Sequence, residues 1–214
     1  MIYIPKISVD GLSIEAIAQK LAQANVTSYS VQSVNWPLVT DYCPQTSVRM
    51  AHTGDRLLIQ YEVTEIGTKA LVTEDNGPVW TDSCCECFLS FDETGYYNFE
   101  TSCIGTQLLA FRITRENPTR STPEIVQKIE RYATLGRNAL PEQTGETHYQ
   151  LTISIPVSAF FTHSIQDLSG MDARLNVYKC GDKLSKPHYV SLFPIDNPKP
   201  NFHLSQFFGE AHFE

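Results

Sequence analysis

The sequence has no cluster of Lys or Arg, and no apolar run comes near the 18 residues that suggest a membrane helix. Its formal net charge is −8. Nucleic acid and anionic membrane surfaces are therefore repelled, while a neutral ligand carries no such penalty. A phosphate-cradling glycine loop and a nucleophile elbow are both missing. The N-terminus MIYIPKISVDGLSIEAIAQK lacks the basic start, unbroken apolar core and small-residue cleavage site of a secretory signal. As written, the chain is expected to remain in the cytoplasm; a signal removed beforehand would place it outside or in the periplasm.

Six cysteines are present, at positions 43, 84, 85, 87, 103 and 180, and three of them crowd into four positions. That layout is poor for a disulfide framework. Reduced thiols, most of them buried as small apolar side chains, are expected instead. A Cys84-x-x-Cys87 zinc site is disfavoured, because an extended strand sends the two sulfurs to opposite faces.

What is there points to a β protein. Apolar residues make up 42% and charged residues 19% of 214 positions, an ordinary globular balance with room for one large domain and little for a second core. Eleven Phe and ten Tyr against three Met favour an aromatic-rich sheet core. One helix is read over Ser13 to Ala24, where Ile14, Ile17, Ala18 and Leu21 keep the helical period and Ser13 can cap the first turn. Period-two stretches follow over residues 29–34, 46–50, 56–63, 84–91, 96–103, 108–114, 147–155, 175–180 and 188–193. Residues 116–124, 136–145 and 194–201 read as loops. Nine or ten short strands, one helix and long loops imply an all-β, antiparallel β-sandwich of jelly-roll type. It is expected to form a single domain over 1–214, with residues 1–30 as a helical extension packed on it.

The richest stretch is Pro78-Val-Trp-Thr-Asp-Ser-Cys-Cys-Glu-Cys-Phe-Leu-Ser-Phe91. If it is extended throughout, Trp80, Asp82, Cys84 and Glu86 share one face, and Ser83, Cys85, Cys87 and Leu89 the other. The second set suits a core. The first puts an indole and two carboxylates on a face that must be wet or paired. Through the turn Asp92-Glu-Thr-Gly95, the next strand brings Glu100 opposite Glu86 or two positions away. Facing Cβ atoms there lie about 5 Å apart, so the two carboxylates repel unless one is protonated or a cation is near. Arg49 and Lys179 are the candidate cations; simple pairing with such cations on a solvated sheet is the bland alternative. The same spacing would also fit a retaining glycoside hydrolase, whose two carboxyl groups stand about 5–5.5 Å apart. The tail, from Asn176 through His188 and Phe193 to Gly209, is dense in aromatics and His. It reads either as core packing of the last strands or as a loop wall over the same face.

Taken together, Val79-Trp-Thr-Asp-Ser-Cys-Cys-Glu-Cys-Phe-Leu, Tyr96-Tyr-Asn-Phe-Glu, Gly105-Thr, Asn176-Val-Tyr-Lys-Cys-Gly-Asp, Phe202-His and Phe208-Gly resemble carbohydrate-binding module family 9, within the DOMON-like β-sandwich group. The likeness covers roughly residues 30 to 214 and is nearest to stand-alone bacterial members, several of which are named as glycoside hydrolases or parts of them. It implies a non-catalytic domain that binds an oligo- or polysaccharide, in the service of polysaccharide breakdown, by stacking a terminal sugar between two tryptophans. The first tryptophan corresponds to Trp80 and a ligand-contacting glutamate to Glu86. Glu100 stands where the family has an arginine. The second tryptophan has no clear counterpart, and Leu192, Phe193 and Phe202 lie near its expected place. Structural calcium occurs in the family, but its ligands are not traceable here. The expected binding set is thus Trp80, Asp82, Glu86 and Glu100, with Arg49, Lys179 and His188 as rim donors and Phe193 as a second ring. A hydrolase using Glu86 and Glu100, or an interaction or haem-sensing module, would use the same face.

Overall fold

The computed structural model describes all residues from 1 to 214. In chain order the strands are β1 (Ile2–Ile4), β2 (Ser28–Ser30), β3 (Ser33–Val34), β4 (Gln45–His52), β5 (Arg56–Ile66), β6 (Cys84–Asp92), β7 (Gly95–Ser102), β8 (Gln107–Arg112), β9 (Pro118–Arg120), β10 (Glu130–Ala133), β11 (Glu146–Pro156), β12 (Asp172–Cys180), β13 (Tyr189–Ser191) and β14 (Gly209–Phe213). The helices are α1 (Ile14–Gln23) and the single turn α2 (Pro123–Val126). The nine-stranded sheet runs β1-β14-β12-β6-β7-β8-β9, with β13 bridging β12 and β3; the five-stranded sheet runs β10-β11-β5-β4-β2. All pairings are antiparallel except β1 with β14.

The alternation written in the sequence explains this layering. Cys85, Cys87 and Leu89 of β6, Tyr97 and Phe99 of β7 and Val177 of β12 meet Val48, Ile59, Tyr61 and Leu151 from the other sheet in one core of 35 buried residues. Such a core is where most of the stabilising burial of apolar surface occurs. Helix α1 keeps its expected place: Ser13 Oγ accepts from the Ala16 amide, and Ile17 and Leu21 pack on Ala51 and Leu58 of the five-stranded sheet. The first thirty residues are more than a helical extension, since β1 joins the nine-stranded sheet and β2 the five-stranded one.

Strands β1, β9, β10 and β14 are not apparent from residue patterns. Each has three to five residues, too few for a period to register, and β9 (Pro-Thr-Arg) lies inside an expected loop. At the β7–β8 hairpin, Gly105 has φ +79°, and a Cβ there would strike the Arg137 guanidinium, so the tight turn requires glycine.

Candidate functional site

The outer face of the nine-stranded sheet, away from the sandwich core, carries the site. Register puts Cys84, Glu86 and Phe88 of β6 beside Cys180, Tyr178 and Asn176 of β12 on one side, and beside Ser102, Glu100 and Asn98 of β7 on the other. Glu86 faces Glu100 directly. Above this floor lies a cavity of about 350 Å³, lined by Trp36, Trp80, Glu86, Glu100, Arg112 and Arg115, with Asp182, Tyr189, Phe202 and His203 completing its walls.

One wall is the turn Val79–Thr81. Sequence alternation is expected to carry an extended strand through it, but the chain makes a 3-10 turn there, closed by the Thr81 hydroxyl donating to the Pro78 carbonyl. Trp80 therefore reaches the cleft from a turn and stays partly exposed. The same turn removes Asp82 from the cleft. Its Oδ2 accepts from the amides of Leu71 and Val72, both at 2.8 Å, and the residue is 2% exposed. Asp82 braces the loop that holds Trp80; it lines no part of the cavity.

The opposite wall is aromatic. Phe202 stacks on Tyr178 at 4.2 Å between centroids and 14° between planes, and lies 5.9 Å from Trp36 and 6.4 Å from Tyr189. Trp36 is anchored by its Nε1, which donates to the Asn197 carbonyl at 2.7 Å, and its neighbour Asn35 ties down the Ile195 amide. Tyr96 and the His203 Nδ1 are hydrogen-bonded at 3.0 Å, and burial with the nearby Arg112 and Arg115 charges pushes His203 down to about 3, so it is neutral.

The polar floor is enclosed. Glu86 and Glu100 are each 3% exposed. Glu86 Oε1 contacts Cys180 Sγ at 3.0 Å. Glu100 Oε1 accepts from the Asn98 side chain at 2.7 Å, Asn98 in turn accepts from Arg112 Nε at 2.9 Å, and Arg112 is tied to the Arg115 carbonyl. Glu100 Oε2 has no partner at all. Burial, then the neighbouring Glu100 charge, pushes Glu86 well above the ordinary carboxyl range; burial raises Glu100 to about 7 and Asp182, at the rim, to about 6.

Four expected contacts lie elsewhere. Arg49 is on the five-stranded sheet, paired with Glu62 at 2.9 Å. Lys179 sits opposite Cys85, so strand parity turns it into the interior, where Nζ meets Glu65 Oε2 at 2.6 Å and His188 Nε2 at 2.8 Å. His188 Nδ1 faces the Lys186 carbonyl at 3.1 Å, which fixes Nε2 as the acceptor for Lys179, and burial together with the Lys179 charge pushes the ring down to about 3. Both residues are 0% exposed and unavailable to a ligand. Phe193 packs against the main core and over Gly209.

The cleft residues absent from the expected set include Trp36, Arg112, Arg115, Cys180, Asp182, Tyr189, Phe202 and His203. Arg112 follows from the parity that aligns Glu86 with Glu100, since its strand continues that ladder. Trp36 had a compositional signal: it is one of only two tryptophans, on a loop broken by Pro37. A second cavity of about 430 Å³ on the five-stranded sheet is larger but offers no Trp, Tyr or Phe as a stacking surface. All six cysteines are free, and no helix is long and apolar enough to cross a membrane.

The family model for carbohydrate-binding family 9 matches residues 15–213. The chain is similar to a protein of Bacteroides uniformis ATCC 8492, provisionally named as carbohydrate-binding, at 36% identity and a TM-score of 0.95, covering 100% of this chain and 98% of that one. Two structures of a family 9 carbohydrate-binding module from Caldicellulosiruptor kristjanssonii, one with cellotriose and one with glucose, match at 14% identity with TM-scores of 0.60 and 0.59. They cover 100% of this chain and 93% and 95% of those, a likeness of fold. No curated protein sequence matches.

Proposed function

The chain belongs to carbohydrate-binding family 9, and from that premise we propose that it binds an oligo- or polysaccharide end, without turnover, in the cleft between Trp80 and the Trp36–Phe202 wall. The whole chain, 1–214, is the binding unit. The observation that carries this reading is a partly exposed indole above a buried carboxyl whose Oε2 has no partner. A pyranose has an apolar C–H face and a polar rim, so it matches a ring beside unsatisfied acceptors. Trp80 is the stacking platform. Glu100 Oε2 accepts from a sugar hydroxyl, and Glu86, Asp182 and Arg115 line the polar side. By analogy with base–aromatic stacking, one such ring contributes about 1–3 kcal/mol. With several hydrogen bonds this supports a Kd of roughly micromolar to millimolar.

Catalysis by the same pair is the weaker reading. A retaining hydrolase needs one ionised nucleophile and one acid, whereas burial pushes both Glu86 and Glu100 toward the neutral form. The test is a glycan array probed with the wild-type protein. Retention of a defined set of saccharides is expected, and retention of none across neutral, acidic and amino glycans would end the proposal.

A further inference from the structure

Five of the six thiols are buried, but they divide by face. Cys85, Cys87 and Cys103 belong to the apolar core between the sheets, where a thiol is simply a small hydrophobe. Cys84 and Cys180 lie on the opposite face, directly paired across β6 and β12, with Glu86 two residues along β6 on the same side. The ligand atoms of Cys84, Glu86 and Cys180 all fall within 4.8 Å of one another, and Cys180 and Glu86 border the cleft. We infer that Cys84, Cys180 and Glu86 form a binding site for a thiophilic divalent cation of the zinc class, with the cleft leaving room for a fourth ligand.

Geometry and charge support this independently. A tetrahedral ion holds two thiolates at about 2.3 Å and a carboxylate oxygen at about 2.0–2.2 Å, which sets S···S near about 3.8 Å and S···O near about 3.5 Å. Cys180 Sγ and Glu86 Oε1 stand at 3.0 Å, so the three donors need to move by only a few tenths of an ångström to about 1 Å. The electrostatic observation is separate. Glu86 and Glu100 face each other while buried, neither takes part in any ion pair, and Glu100 Oε2 is unpartnered. Arg112 reaches Glu100 only through Asn98, and Lys179 is on the other face, bound to Glu65. A buried acidic pair with no cation in direct contact holds protons instead. Metal entry exchanges them: the thiol protons of Cys84 and Cys180 and the carboxyl proton of Glu86 leave to solvent as the three metal bonds form. Neighbouring Val79, Leu108 and Ala110 keep the sulfurs dry, and the open fourth position is that of a site able to accept water or a ligand hydroxyl. The Glu65–Lys179–His188 cluster is ion-paired within itself on the other face of the sheet and takes no part.

The test uses the full, reduced chain with cobalt(II) as a spectroscopic probe and zinc as competitor. One equivalent of cobalt is expected to produce a thiolate charge-transfer band that zinc abolishes. Cys84→Ser and Cys180→Ser, checked for folding by thermal melting, are expected to lose the band, and Cys43→Ser to keep it. A zinc-soaked wild-type crystal supplies a readout independent of any variant, an anomalous peak bonded to both sulfurs. No thiolate band and no such peak, or an undiminished band in the double variant, overturns the inference. None of these outcomes depends on whether the cleft holds a saccharide.

Discussion

Glu86 and Glu100 stand directly opposite one another on β6 and β7, both largely buried at the floor of the aromatic cleft. Two carboxyl groups so placed cannot both ionise cheaply, and burial adds to the cost. The pair therefore stores protons near neutral pH, and this gives the molecule a pH signature.

Glu100 titrates near 7 in the folded chain against an ordinary 4.5. The native state therefore holds this proton more tightly than the unfolded chain. Its contribution is fully present below pH 4.5 and is lost as the pH rises through 7. Glu100→Gln, which keeps the oxygen that accepts from Asn98, is expected to match the wild type in melting temperature at pH 4.5. It should be the more stable by up to about 3 kcal/mol at pH 8. Melting curves across that range check it.

The ion cluster of Glu65, Lys179 and His188 serves stability and not binding. Lys179→Met strands the Glu65 carboxylate in the interior and is expected to cost about 3–5 kcal/mol. The Glu65→Gln/Lys179→Met double variant should recover most of it. Denaturant unfolding of the three proteins measures the coupling, and saccharide affinity of the folded double variant should stay within about twofold of wild type.

Phe202 is the ring that joins Tyr178, Trp36 and Tyr189 into one wall. Phe202→Ala is expected to weaken saccharide binding about 5- to 50-fold by titration calorimetry, while Phe202→Tyr should largely keep it. Arg49→Ala, on the other sheet, removes a partly buried ion pair with Glu62. It should leave affinity unchanged and stability within about 1 kcal/mol.

The two-sheet architecture was legible because period-two alternation is long in β4, β5, β6, β7 and β11. The same parity correctly put Cys85 and Cys87 in the core, and it brought Glu100 opposite Glu86 or two positions away, of which the direct pairing is the one formed. It failed at Asp82 because a 3-10 turn interrupts the count between Trp80 and Cys84. For Lys179, charge argued for the surface, but the residue opposite Cys85 must point inward, and only the remote Glu65 makes that tolerable. Trp36 and His203 come from loops whose approach to the sheet is set by long-range hydrogen bonds such as Asn35 to Ile195. No local pattern encodes such a contact.

The most direct measurement is the binding isotherm of Trp80→Ala beside the wild type, with the saccharide that the array identifies. Loss of one stacked ring is expected to weaken binding about 5- to 150-fold, with little change in melting temperature because the indole is partly exposed. An unchanged isotherm in a folded Trp80→Ala protein would contradict the account, for the sugar would then be bound elsewhere.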